Sequence, residues 1–338
     1  MLSNALPVAE LHRHLDGSVR PSTIWALANQ HGISLPVTSE DALKQLAIIQ
    51  HRTSDLLEFI QKLEYGVSVL ADADACRRVA FESVEDAATE GIHYIEMRFS
   101  PYFMAQAFSL PMVTVVEAVL DGISAASCQF GINVGAIGIL SRSYGVSACE
   151  RELSAILSHR DKFCGIDLAG YEAGYPARLF VNQFERARNA GMRVTVHAGE
   201  AAGPQSIWDA VSLLGASRIG HGVAAIQDPR LMEYLAKHKI GIESCPTSNY
   251  QTGAMTDTEN HPLRDFLAAG MAVTLNTDDP GISDITLAHE YEVAGNVIGL
   301  DANALLRIQE NALDQAFLTN SEKKALRVSF HKTKLNRP

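Results

Sequence analysis

Five short runs, spread over most of this 338-residue chain, end in residues able to hold a metal ion or to work beside one. They are His12-Arg13-His14-Leu15-Asp16-Gly17, Asp167-Leu168-Ala169-Gly170, His197-Ala198-Gly199-Glu200, Gly220-His221-Gly222 and Asn276-Thr277-Asp278-Asp279-Pro280. Four of them follow apolar stretches that read as β-strands; before the first, the strand pattern is weaker. Candidate ligands delivered singly by the ends of different strands describe a barrel, whose active sites are built where its strands end. The chemistry such a rim points to is water activated by a metal.

From residue 130 onward, strand and helix patterns alternate. Strands are expected at 133–140, 163–170, 192–198, 218–221, 240–245 and 272–277, with helical patterns between them that include 178–190, 204–215 and 229–238. Asp228-Pro229 supplies an N-cap and first helical position, and Gly191, Gly215, Gly241 and Gly270 fall where helices should stop. Near-continuous apolar strands separated by amphipathic helices imply a parallel sheet covered on both faces. Upstream, 92–99 and 8–14 bring the count to eight, the number that closes a (β/α)8 TIM barrel. About 75 residues separate Asp16 from Ile92, too many for one crossover. Helical patterns at 21–31, 54–70 and 74–90 therefore predict a helical insertion after the first strand, at about 18–90, within one barrel domain spanning 1–338. Leu56, Leu57, Phe59 and Ile60 fit equally an apolar lid over the site or packing on the barrel wall.

Net charge is −11, from 28 basic and 39 acidic residues. An acidic surface repels phosphate backbones, so nucleic acid is not the expected partner, whereas a neutral small molecule is compatible. The five cysteines are widely spaced with no C-x-x-C pair, against both a thiolate zinc site and a disulfide framework. Neither a signal peptide nor an 18-residue apolar run is recognisable, so the expectation is a cytoplasmic protein with no membrane partner.

His12 and His14 lie two apart on a strand and so share a face, an arrangement that suits zinc. Alone, an H-x-H pair is a weak signal; its weight comes from the other strand ends. His197 ends a strand and is followed by Gly199 and Glu200, which puts a carboxyl on a short loop at the barrel mouth, where it can serve as general acid or base. The bland alternative for Glu200 is an acid complementing the following helix dipole. His221, between two glycines, fits either a fourth nitrogen ligand or a base acting on water beside the metal. Of Asp278 and Asp279, whose side chains diverge, one suits the metal and the other a substrate. Three imidazoles and one carboxylate leave a coordination position for water. Ser244, Cys245, Ser248 and Asn249 read as polar support at another strand end.

With ELHRHLDGSVRP, IEMRFSP, DLAGYE, VTVHAGEAAGP, RIGHGV, IESCPTSN and LNTDDPG in view, the chain resembles the adenosine deaminases, in particular the bacterial ones. The resemblance covers almost the whole length, and HAGE, GHG and NTDDP in this order are its most specific part. It implies a (β/α)8 enzyme holding one Zn2+ per subunit, which converts adenosine and 2′-deoxyadenosine to the inosine nucleosides and ammonia in purine salvage. Carried over, His12, His14, His197 and Asp278 resemble the zinc ligands and Glu200 the proton donor to purine N1. His221 resembles the residue that orients and helps deprotonate the water. Asp279 resembles the contact to N7, Gly170 the backbone donor to N3, and Asp16 the acceptor for the ribose 5′-hydroxyl, with His14 also near the ribose. For Glu200 and Asp279 to donate, both must be protonated, which burial favours. Asp16 argues for a nucleoside over adenine, and its charge disfavours a 5′-phosphate. The rivals are a deaminase of adenine or of a modified nucleoside on the same barrel, or another metallohydrolase of the superfamily. The pattern departs at Tyr171, where bacterial members carry aspartate; the expected effect is on the pocket rim.

Overall fold

The computed structural model describes residues 2–335. The chain order of its eight strands is their order around the sheet, and every neighbouring pair is parallel. They are β1 Ala9–His14, β2 Tyr94–Phe99, β3 Asn133–Ser141, β4 Phe163–Ala169, β5 Arg193–Ala198, β6 Arg218–His221, β7 Gly241–Ser244 and β8 Ala272–Leu275. All eight expected strands are present, with ends displaced by two residues at most. The (β/α)8 barrel follows.

The barrel closes between β1 and β8, just where the candidate ligands sit. Backbone His14 N donates to Asp278 O at 2.8 Å and Asp278 N to His12 O at 3.0 Å. Lower down, the Asn276 side chain stands in for backbone by accepting from Leu11 N at 2.9 Å. Closing the seam and assembling the site are therefore one event. Asp278 makes its turn with φ 64°, a left-handed conformation that costs a non-glycine residue about 1 kcal/mol or more. His221, at φ 61°, shares that strain.

Four helices occupy the long connection after β1: α1 Pro21–His31, α2 Glu40–Ala47, α3 Leu56–Val67 and α4 Ala73–Thr89. Ser39, Asp55 and Asp72 cap the last three by accepting from Ala42 N, Glu58 N and Ala75 N. The sequence reading missed α2, a two-turn helix signalled by its cap, its acidic first turn and the apolar spacing of Leu43, Leu46 and Ala47. Next come α5 Pro101–Ala105, α6 Met112–Phe130, α7 Gly145–Leu157, α8 Val181–Asn189, α9 Pro204–Asp209, α10 Pro229–His238 and α11 Pro246–Gln251. The expected helix 204–215 is α for six residues and then widens into a π turn, 210–214, ended by left-handed Gly215. Among the described residues, α6 is long and apolar enough by length and composition to cross a membrane. Its Val115, Val116, Val119 and Ile123 are buried in the hydrophobic core with residues of α4.

Candidate active site

His12, His14, Asp16, Gly170, His197, Glu200, His221, Asp278 and Asp279 come from five strand ends, and all nine meet at one end of the barrel. Eight of them line one cavity of about 730 Å3; His12 lies just beneath, fully buried. The α3 residues Leu56, Phe59, Ile60 and Leu63 form its apolar wall, together with Phe103 of α5. Leu57 does not join them: it points outward, 42% exposed, because it lies about 100° round the helix from Leu56.

Two histidines owe their orientation to buried carboxylates. His12 Nδ1 lies 2.7 Å from Glu243 Oε2, and His197 Nδ1 lies 2.9 Å from Asp167 Oδ2. A carboxylate partner accepts a hydrogen bond from Nδ1–H, leaving each Nε2 with a bare lone pair aimed into the site. Arg98 bridges the two carboxylates, at 2.7 Å to Asp167 and 2.8 Å to Glu243, and Arg218 Nε holds the other Glu243 oxygen at 2.6 Å. These four charges are fully or almost fully buried, so each depends on the others for compensation. Sequence reading passed over Glu243 and gave Asp167 no role of its own. The alternation does put Asp167 and Glu243 on the inward face of their strands, which was the available signal.

His221 has the opposite tautomer. Leu263 N–H donates to His261 Nδ1, so His261 Nε2–H faces Asn249 Oδ1 at 3.1 Å. The Asn249 amide nitrogen then faces His221 Nδ1 at 3.0 Å and donates to it. This contact places a hydrogen of His221 on Nε2, which points at Glu200 Oε2 at 3.6 Å and Asp278 Oδ2 at 4.0 Å. A nitrogen that carries hydrogen donates no lone pair to a metal. Asn249 and Ser248, whose hydroxyl donates to Asp278 Oδ2 at 2.7 Å, are thus the polar support expected of that strand end.

The donor set fits a divalent metal. His14 Nε2 is 3.1 Å from His197 Nε2 and 3.3 Å from Asp278 Oδ1, and His12 Nε2 is 2.9 Å from that same oxygen. Tetrahedral zinc with bonds of about 2.0–2.1 Å sets its ligand atoms about 3.3 Å apart. The four groups His12, His197, His221 and Asp278 also have ligand atoms within 4.8 Å of one another. Proximity alone therefore does not separate His14 from His221. Buried His12 Nε2 and Asp278 Oδ1 have no hydrogen-bond partner, a costly arrangement for two groups that a cation would satisfy together.

Electrostatics divides the carboxyls. Burial raises Glu200, further raised by Asp278, and it raises Asp279 well above the ordinary carboxylate range, with Asp278 next to it adding to the effect. Asp278 is equally buried, yet the imidazoles gathered around it, His221 foremost, hold it well below that range. One acid is thus kept ionised between two that favour the proton. Glu200 Oε1, Asp279 Oδ1 and Asp16 Oδ1 are buried without a hydrogen bond, with His14 Nδ1 3.6 Å from the Asp16 oxygen. Two glycines make the geometry possible: a Cβ on Gly17 would lie 1.6 Å from Asp279 Oδ1, and one on Gly170 (φ 111°) 2.5 Å from Ser143 Oγ. Gly17, read from sequence as a turn residue, is there to clear space for Asp279.

The adenosine deaminase family model matches residues 7–333. An adenosine deaminase of Serratia proteamaculans is 52% identical over 97% of this chain and 98% of its own. Among solved structures, adenine deaminase from Arthrobacter aurescens superimposes with a TM-score of 0.90 at 26% identity, over 98% of this chain and all of that one. An amidohydrolase from Burkhoderia ambifaria with bound Zn gives 0.87 at 26% identity, over 98% and 91%.

Proposed function

The chain belongs to the adenosine deaminase family, and from that membership we propose that it hydrolyses the 6-amino group of adenosine and 2′-deoxyadenosine, releasing inosine nucleosides and ammonia. The observation that carries this reading is a set of three buried acids, Glu200, Asp279 and Asp16, each with one oxygen that makes no hydrogen bond, spaced around one cavity beside the histidine cluster. Purine N1 and N7 are acceptors, and the first two acids are the ones whose surroundings favour the proton. The third suits a hydroxyl donor, such as the ribose 5′-OH.

His12, His14, His197 and Asp278 are the residues we assign to hold zinc, whose contribution is to make water a nucleophile at neutral pH. Imidazole and carboxylate donors accept other first-row metals too, and the neighbour with bound Zn favours zinc. Glu200 gives its proton to N1, draining electron density from C6 as water adds there. Of the two hydrogens of that water, one replaces the proton Glu200 has lost and the other leaves with ammonia. His221 already carries hydrogen on its inward nitrogen, so its role is to donate to the attacking oxygen and fix its direction. This narrows the role implied by resemblance, since the same nitrogen cannot also take a proton from water. Asp279 donates to N7, the Gly170 N–H serves N3, and the wall from α3 and α5 excludes solvent from the purine.

Substrate choice provides the direct test. Ammonia release is expected from adenosine and 2′-deoxyadenosine, while adenine lacks the partner for Asp16 and AMP would set a phosphate against it. Each is expected to be poorer by at least about 10²-fold in kcat/KM, the scale of leaving a buried polar group unpaired. Asp16→Ala should narrow the gap between adenosine and adenine. An enzyme that prefers adenine would move the chain to the activity named for its Arthrobacter aurescens neighbour.

A further inference from the structure

We propose that Glu172 is the positioning residue for Glu200: its carboxylate is a buried anchor around which the loop carrying the acid is wound. Glu172 follows β4, and its oxygens accept from four successive backbone amides of the neighbouring strand's exit loop. Oε1 accepts from Gly199 N at 2.6 Å; Oε2 accepts from Glu200 N at 3.1 Å, Ala201 N at 2.7 Å and Ala202 N at 3.1 Å. Ser206 of α9 donates its hydroxyl to Oε1 as well. Consecutive inward amides form a concave anion site of the kind that elsewhere binds phosphate. Here the anion is a side chain of the protein, only 3% exposed.

Apart from Ala224 N, which donates to Gly199 O at 2.9 Å, these amide bonds are what holds the loop. Gly199 turns at φ 72°, and none of the four amides enters the barrel ladder. The Glu200 side chain itself has one oxygen without a hydrogen bond and the other 3.6 Å from His221 Nε2, with the Thr252 side chain beside the carboxyl. Glu200 is thus placed from its backbone side, through Glu172. A glutamine at 172 offers one oxygen and one NH2, so one edge of the loop would meet a donor in place of an acceptor.

This inference rests on Glu200 being the acid, so three variants are read side by side with adenosine as substrate. Glu172→Gln is expected to lower kcat about 10²-fold, the scale of an ångström of misplacement, with KM and bound metal almost unchanged. Hydrogen exchange should quicken at 199–202 and not in the strands. Ser206→Ala, which removes one of five bonds and leaves the fold untouched, is expected to lower kcat by roughly threefold to tenfold. Glu200→Gln is the reference. If it retains turnover, the acid assignment fails whatever Glu172 does. If it is inactive while Glu172→Gln keeps kcat, or while that variant loosens strands and loop alike, the clamp is wrong and the acid stands. Should Glu172→Gln not fold, Ser206→Ala decides: unchanged kcat overturns the proposal.

Discussion

Glu200→Gln is expected to reduce kcat by about 10²–10⁴, the contribution of a positioned general acid, while bound metal and nucleoside affinity stay near those of the parent enzyme. The substitution is nearly isosteric, and an amide can still donate to N1 without transferring a proton. It removes the one thing the reaction requires of this residue. Binding is expected to survive because Glu200 is not among the assigned ligands, and because the Glu172 bonds to its loop involve backbone only. Stopped-flow turnover with metal analysis and equilibrium binding of a non-hydrolysable nucleoside separates the effects. Turnover within tenfold of the parent would remove Glu200 from the mechanism. The same acid sets an alkaline limb. Burial raises the Glu200 carboxyl above its ordinary value, so its protonated, donating form persists below the raised value, and turnover falls as pH rises through it.

Much of this site was legible because barrel chemistry is modular. Each strand end carries its own residue, so the H-x-H spacing, the HAGE loop and the paired aspartates are local signals. The parts that were not legible are relational. Asp167 and Glu243 sit within ordinary apolar strands; pairing of β4 with β5 brings Asp167 under His197, and only closure of the barrel brings Glu243 under His12. The role of His221 depended on which of its nitrogens carries hydrogen, which is decided by Asn249, His261 and the Leu263 amide, 28 to 42 residues away. Glu172 stands two residues past Gly170 in the resemblance motif DLAGYE, yet nothing in that motif says what the carboxylate holds. The missed helix α2 and the π turn after α9 belong to the same class. Short elements are fixed by their neighbours more than by their own periodicity.

Chelation is expected to abolish turnover, with full recovery on adding one equivalent of zinc, and the loaded enzyme should melt at a higher temperature. A ligand held at 1,000 times its dissociation constant stabilises the native state by about 4 kcal/mol. The reason lies in what the cluster does without a cation. His12 Nε2 and Asp278 Oδ1 face each other at 2.9 Å with no hydrogen bond between them. Glu243 should then govern how firmly the metal is held. It orients His12 and also pairs Arg98 and Arg218, so Glu243→Gln disturbs a ligand and leaves two buried guanidiniums undercompensated. The expected result is a 10- to 100-fold weaker metal affinity, about the cost of losing such a support, together with about 3–5 kcal/mol of stability. Asp167→Asn should weaken the metal similarly but cost less stability, because beside His197 it pairs one guanidinium, Arg98, where Glu243 pairs two. Competition with a chromophoric chelator measures the first quantity and denaturant unfolding of the loaded protein the second. Equal metal affinity in parent and both variants would mean that the histidines are oriented by the barrel alone.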